Sequence, residues 1–597
     1  MLLLFYLKVN RSTFRNLVVK FMHKRKFILM SLLSFFTDIA YSQITHADIV
    51  FTGGSVYRVT ENEQWASSVA ISKNKISYVG DDMGVIPFIG PDTRVVELNG
   101  KMLMPGFQDA HVHPVDSGMT YNQCAVFNLP QLQDLLDAIQ ECVNNNPNAE
   151  WIVGAGWYVS TFSPSGKPPK ELLDEISPDI PITLLSNAAH SVWANSAAIE
   201  HAGITAETLD PEGGQIDRNP ITREPSGSFQ ESAMPLIQNF EPPITLKERI
   251  AGLAFAQKLF HSYGITGVHD SYVEVSRETA YSNMEAYTAF ADAGNLKMHV
   301  VAAMLYDPTL PLRPQIELFK KQRKESNREL VNATAIKILV DGVATSYSAA
   351  MLEPYADREA EGIKGEPLVS RSNLIDLVTL LDDLDFQIHF HSIGDAATHY
   401  SLDALENARN MNGQRDSRHH LSHIMVWDPN DYDRMAELNA VANFQALWAS
   451  KDKHYDEITY ARMGEKRSKY IYPINSLHQR GVTLAFGSDW YVTSANPLLA
   501  IEVAVTRLDP DGYRTDPLLP NESIDLATAI KAATLGSAFG NFLDQKTGSI
   551  EVGKLADLIV IDKNLFEIPP SEISEAKVML TMFGGEIVYG DMHSTVN

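Results

Sequence analysis

The chain has 597 residues, 45% hydrophobic and 21% charged, with a formal net charge of -25. This is the composition of a globular protein long enough for a large domain and a smaller one, and it excludes a disordered or fibrous chain. The acidic balance excludes a nucleic-acid binder working through a basic face; its plain role is solubility.

The first predicted element is a targeting segment. His23-Lys24-Arg25-Lys26 is basic, 27–36 is an apolar run of signal-peptide length, and Ala40-Tyr41-Ser42 offers small residues for cleavage before Gln43. Met22 fits as the start of that signal. The run is short for a bilayer span, and no Cys stands at the cleavage site. The expectation for 1–42 is therefore a signal peptide, and for the mature chain a periplasmic or secreted protein without a stable membrane span. An uncleaved anchor is the alternative.

Residues 43–104 open with short strands and turns, such as 69–71 and 76–79, and 548–597 close the chain in the same way. The two ends are predicted to pair into one small β-sandwich domain. Between them, eight short apolar stretches read as strands: 102–108, 265–269, 298–303, 335–340, 386–390, 419–424, 441–445 and 482–487. Helical-period segments such as 374–385 and 398–410 lie between several of them. Eight strand–helix units over 105–547 predict an α/β fold of the (β/α)8 TIM-barrel type, with chemistry at the C-terminal strand ends. The gap at about 114–260 is too long for a loop and reads as an inserted subdomain. The two cysteines, Cys124 and Cys142, fall in it, and pairing or two buried thiols are both open.

Ligand-type residues gather at the predicted strand ends. His111 and His113 follow the first strand, and residues i and i+2 of a strand point to one side, so both imidazoles can face one metal. Lys337 stands inside the apolar run Ala335-Ile336-Lys337-Ile338-Leu339-Val340, where a lysine must be neutralised, paired or modified. Carboxylation would solve this, as would an ion pair with Asp341 or Asp489. His391, His423 and Asp489 close the fifth, sixth and eighth strands. A barrel brings such ends to one rim.

With these motifs the sequence resembles the amidohydrolase superfamily, and within it the amidohydrolase 3 family, which includes N-substituted formamide deformylases. The match is carried by Pro105-Gly106-Phe107-Gln108-Asp109-Ala110-His111-Val112-His113, Asp341-Gly342, His391-Ser392-Ile393-Gly394-Asp395, Arg418-His419, Gly487-Ser488-Asp489 and Gly548-Ser549-Ile550-Glu551-Val552-Gly553-Lys554-Leu555-Ala556-Asp557-Leu558. Ala189-His190 and Gly227-Ser228-Phe229-Gln230-Glu231 add to it, and the likeness runs from about 47 to 590. The resemblance implies a metal-dependent hydrolase of a small molecule. His111, His113, His391 and His423 would be ligands, Lys337 a carboxylated bridge, and Asp489 both ligand and proton shuttle. Two positions depart from the family. Ser422 stands where Glu is usual, and Trp490 where Pro is frequent.

A divalent metal, zinc above all, suits imidazole and carboxylate ligands, with one or two ions both open. His190 and His419 are candidates to stabilise a tetrahedral oxyanion. Trp157, Tyr347, Trp490 and Glu231 are candidate pocket residues, with core packing as their plain alternative. The strand-four lysine favours C–N hydrolysis over deamination. Ester or lactone hydrolysis stays open, as does a homodimer. A catalytically silent binding protein would be expected to have lost a ligand, and every candidate position is filled. No Gly-x-Ser-x-Gly elbow in a suitable context supports a serine hydrolase.

Overall fold

The computed structural model describes residues 46–591 apart from 128, 130, 164, 188–190, 212–213 and 276–281. The targeting segment and His190 lie outside the described residues. Eight parallel strands form the central sheet: β1 (Phe107–Val112), β2 (Ile265–Val273), β3 (His299–Leu305), β4 (Val331–Leu339), β5 (Gln387–Ser392), β6 (His420–His423), β7 (Val441–Phe444) and β8 (Thr483–Phe486). They are hydrogen-bonded in that order, which is the predicted α/β barrel. β8 meets β1 without a ladder, yet the seam is held. Asp489 N donates to His111 O at 2.7 Å, and Asn443 Nδ2 donates to Ala110 O at 2.7 Å. Gly487 makes this approach possible, because a Cβ there would stand 2.5 Å from His111 Cβ.

Helices cover the outside. Helix Arg371–Asp383 buries Leu374, Leu377, Val378 and Leu381 at helical spacing, and Ser370 caps it by accepting from Asn373 N. The inside is unusual. Barrel interiors are ordinarily filled with branched apolar residues. Here the apolar interior groups are small, Ala110, Val441 and Ala485 in one place and Val301, Ala303 and Ala335 in another. Gln108, His269, Lys337, Gln387, His389, His420 and Asn443 are all at most 4% exposed.

The first predicted strand, 102–108, is corrected. It is two strands in two sheets. Met102–Pro105 pairs with Ser55–Tyr57 and Leu558–Ile561, whereas Phe107–Val112 starts the barrel. Gly106 links them and donates its N–H to Asp557 O at 2.9 Å. The six-stranded sheet that holds Met102–Pro105 draws on both chain ends. It packs on a four-stranded sheet of 49–97 through Phe51, Val69, Ile71, Leu103, Leu558 and Leu580.

Between β1 and β2, helix Pro114–Asn122 leads into a six-stranded sheet built from strands between Cys124 and Glu231. Helix Leu246–Ser262, opened by a Thr245/Glu248 capping box, returns the chain to the barrel. Cys124 and Cys142 are disulfide-bonded, which settles the alternatives left open and ties the edge strand Cys124–Ala125 to helix Leu132–Asn145. With 18 residues of separation, Cys124→Ser is expected to cost about 3 kcal/mol in denaturant unfolding. An unchanged midpoint would show that the bond constrains nothing.

The insertion also holds a half-buried carboxyl, that of Glu241. Trp151 Nε1 donates to Thr183 Oγ1 at 2.8 Å, and Thr183 donates to Glu241 Oε1 at 2.7 Å. Burial pushes Glu241 up to about 7. The folded state therefore holds this proton more tightly than the unfolded chain, and stability falls as pH rises from the ordinary Glu value through about 7. Glu241→Gln is expected to raise unfolding free energy at pH 8 by on the order of 1 kcal/mol and to change little at pH 4.5. Equal effects at both pH values would contradict this. No described helix is long and apolar enough to cross a membrane.

Candidate metal centre

The C-terminal end of β1 delivers His111 and His113 to the barrel rim. His111 Nε2 lies 3.4 Å and His113 Nε2 2.9 Å from the same atom, Asp489 Oδ1, just past β8. His423, closing β6, brings its ring to 4.6 Å from that of His111 and 4.5 Å from that of His391 on β5. His423 and Asp489 both have left-handed backbone, with φ of 76° and 54°. That conformation costs non-glycine residues on the order of 1–2 kcal/mol, and it turns both side chains inward where the strands end.

Asp341 orients His391. Its Oδ1 lies 3.3 Å from His391 Nδ1, and the carboxylate accepts Ile393 N, Gly394 N and Ala350 N at 2.9–3.0 Å. A carboxylate so occupied is not the lysine's partner. Lys337, on β4 and 2% exposed, has no carboxylate at ion-pair distance among the described residues. The charges it feels most are those of Asp489 and Asp270.

The electrostatics match a ligand set. Burial would raise Asp489, but the hydrogen bonds and charges of His111 and His113 hold it well below the usual carboxylate range. Burial, aided by Lys337, keeps His111 well below the ordinary histidine value, and burial beside His391 does the same for His423. Burial brings the Lys337 amine down to about 7. Burial would lower His113, but its hydrogen bond to Asp489 and the charge of that carboxylate raise it. The rim thus presents an ionised carboxylate shared with His113 and neutral rings at His111 and His423, which suit a metal once His113 gives up its proton. His423 adds a direct sign of fit: among the described residues neither of its buried ring nitrogens has a hydrogen-bond partner, a condition costing about 1–3 kcal/mol for each group. His111, His113 and Asp489 offer one ligand atom each within 4.8 Å of one another. A borderline divalent cation suits these donors.

Several sequence-predicted residues fall elsewhere. His419 precedes β6 at the far end of the barrel. Its Nδ1 accepts Ile388 N–H at 2.9 Å and its Nε2 donates to Asp382 at 3.1 Å, so both nitrogens serve structure and an oxyanion role is corrected. Trp157 is fully buried in the inserted sheet against Phe162 and Trp193, with Nε1 donating to Leu184 O. Trp490 is 2% exposed and stacks on Tyr121 and against Phe260, beneath the rim; its carbonyl accepts Ser117 Oγ at 2.8 Å. Neither tryptophan is a pocket wall. Tyr347, on the loop after β4, donates its hydroxyl to Asp357 and lies under Arg462. Glu231 stands at the exposed end of strand Pro225–Glu231.

The structure supplies groups that the sequence reading missed. Trp448, just after β7, stacks on His423 with centroids 5.5 Å apart and planes 4° from parallel. Tyr272, at the end of β2, faces His113 edge-on at 6.2 Å. These half-buried rings flank the centre. A signal existed, since both sit at strand ends, but an aromatic there reads equally well as core.

The profile described as the amidohydrolase family matches residues 94–589. Protein LONG AFTER FAR-RED 3 of Arabidopsis thaliana is 30% identical over 546 residues, spanning 91% of this chain and 92% of that one. N-substituted formamide deformylase of Arthrobacter pascens is 26% identical over 555 residues, spanning 91% and 98%. Among solved structures, an uncharacterized metal-dependent hydrolase from Pyrococcus furiosus has the same fold, with a TM-score of 0.68 at 22% identity over 86% of this chain and 99% of that chain. Rim geometry, profile and full-length relatives agree: the chain belongs to the amidohydrolase family of metal-dependent hydrolases.

Proposed function

We propose that the protein hydrolyses the C–N bond of a small N-acyl or N-formyl amide. The observation that carries this reading is a single carboxylate, Asp489, held between His111 and His113 beside a buried lysine. Asp489 takes a proton from the attacking water and delivers it to the leaving nitrogen as the new C–O bond forms and the C–N bond breaks. His111, His113, His391, His423 and Asp489 would hold a divalent cation, with zinc the best chemical match, and it would supply Lewis acidity toward the carbonyl and the water. Lys337, with no ion-pair partner among the described residues, would add CO2 at its neutral amine and release a proton, and the resulting anionic carbamate would join the residues that hold the cation. His190 of the insertion is the candidate donor to the developing oxyanion. Trp448 and Tyr272 shield the reacting bond from bulk water.

The Arthrobacter pascens relative supports the choice of amides, because its name specifies an N-substituted formamide. The Cys124–Cys142 disulfide supports export to an oxidising compartment. The test combines metal analysis of purified protein with a screen of N-formyl amines, N-acyl amines, esters and lactones. The expected result is amide turnover that chelation abolishes and Zn2+ restores. Full activity in metal-free protein would overturn the mechanism, and ester or lactone turnover alone would replace the substrate class.

A further inference from the structure

Deeper in the barrel lies a second group of imidazoles. His269 on β2, His389 on β5 and His420 on β6 are fully buried and offer one ring nitrogen each within 4.8 Å of one another. Their ring centroids are 4.5, 5.2 and 5.1 Å apart. His389 and His420 are cross-strand partners on adjacent β5 and β6, whereas β2 neighbours neither, so His269 reaches both across the interior.

Each ring is held from outside the group. His269 Nδ1 meets Asn541 Oδ1 at 2.9 Å. His420 Nδ1 is 3.4 Å from Asn443 Nδ2, and its Nε2 lies so close over Gly540 that a Cβ there would be 2.5 Å away. His389 Nε2 meets Ser422 Oγ at 2.8 Å and His111 Nδ1 at 2.9 Å. Ser422, smaller than the Glu usual at its position, leaves room for that ring. Among the described residues, His269 Nε2, His389 Nδ1, His420 Nε2 and Asn443 Oδ1 are buried without a hydrogen-bond partner. Branched apolar residues at these positions would avoid that cost altogether.

We propose that His269, His389 and His420 form an interior site for a divalent transition-metal ion, distinct from the rim centre. His269 and His389 are anchored at one nitrogen and leave the other free, and imidazoles so held are the usual donors for zinc, cobalt, nickel or copper. With no carboxylate among them they discriminate against calcium and magnesium, which take oxygen ligands.

His389 also couples the two sites. For His111 to ligate at the rim through Nε2, its Nδ1 carries the hydrogen and donates to His389 Nε2. A neutral His389 then carries its own hydrogen on Nδ1, the nitrogen left for the interior ion. For His389 to ligate as a neutral ring, the hydrogen between the two rings must belong to His389, and that moves the His111 hydrogen to Nε2. One tautomer serves the rim and the other serves the interior, so interior occupancy weakens the rim ion.

The test uses full-length wild type, His269→Gln and His420→Gln, each stripped of metal and titrated with Co2+, with bound ions counted by mass spectrometry and followed by visible absorption. Wild type is expected to bind one ion more than either variant at saturation. Co2+ beyond rim saturation is expected to inhibit amide turnover in wild type and not in His420→Gln. Equal ion counts in folded wild type and variants would overturn the site and assign the space to a buried water. Should the variants fail to fold, anomalous diffraction from wild-type crystals at saturating Zn2+ decides. A peak among the three rings supports the site, and no peak there overturns it.

Discussion

Asp489→Asn is expected to lower kcat/KM for amide hydrolysis by about 10^3-fold while the protein stays folded. Two effects combine. Asparagine cannot take the proton of the attacking water, and it removes the anion on which His111 and His113 converge. The backbone at this position is left-handed, a conformation that asparagine tolerates as well as aspartate does, so the turn after β8 survives. The checks are steady-state kinetics with metal content and circular dichroism measured on the same preparations. A folded variant with more than a tenth of wild-type activity would remove Asp489 from the proton path.

Lys337→Met is expected to move stability and function in opposite directions. The lysine is buried without an ion partner among the described residues, and burial holds its amine down to about 7. Replacing a buried amine that carries a desolvation cost with an apolar chain of similar length is expected to leave stability unchanged or raise it. Activity should nevertheless fall roughly 10^2-fold or more, since disturbing even the outer partners of a metal ligand has effects approaching that size. Thermal unfolding, metal content and turnover measured together test this. A second check is intact mass with and without bicarbonate, where wild type alone should gain the mass of one CO2. A Met variant that is both less stable and fully active would sink the assignment.

Much of the barrel was legible because its strands are short apolar runs whose polar termini differ in kind from their interiors. His111 and His113 were legible through the two-residue period of a strand, and His391, His423 and Asp489 through their places at strand ends. His269, His389 and His420 were not. They lie within strands, where a lone histidine reads as a satisfied core residue, and nothing in the sequence announces contact between strands that are not neighbours. His419 shows the cost of a small offset: it stands at the start of its strand, at the opposite end of the barrel from His423. Trp490 followed a ligand and was expected in the pocket, but the left-handed turn at Asp489 sends its ring back toward Tyr121 and Phe260. That reversal depends on a backbone angle the residue types do not specify.

The run that splits at Gly106 also sets an order of events. Its first half pairs with Leu558–Ile561 and its second half carries His111. A ribosome that has translated through Asp489 has made every candidate rim ligand but not the strand that anchors the base of β1. Chains are built from the N-terminus, and pairings this distant in sequence close late and slowly. Metal capture is therefore expected to follow synthesis. Nascent or C-terminally truncated chains ending before 558 are expected to hold no rim ion in a pull-down and metal assay, so an exported chain would acquire its catalytic power at its destination.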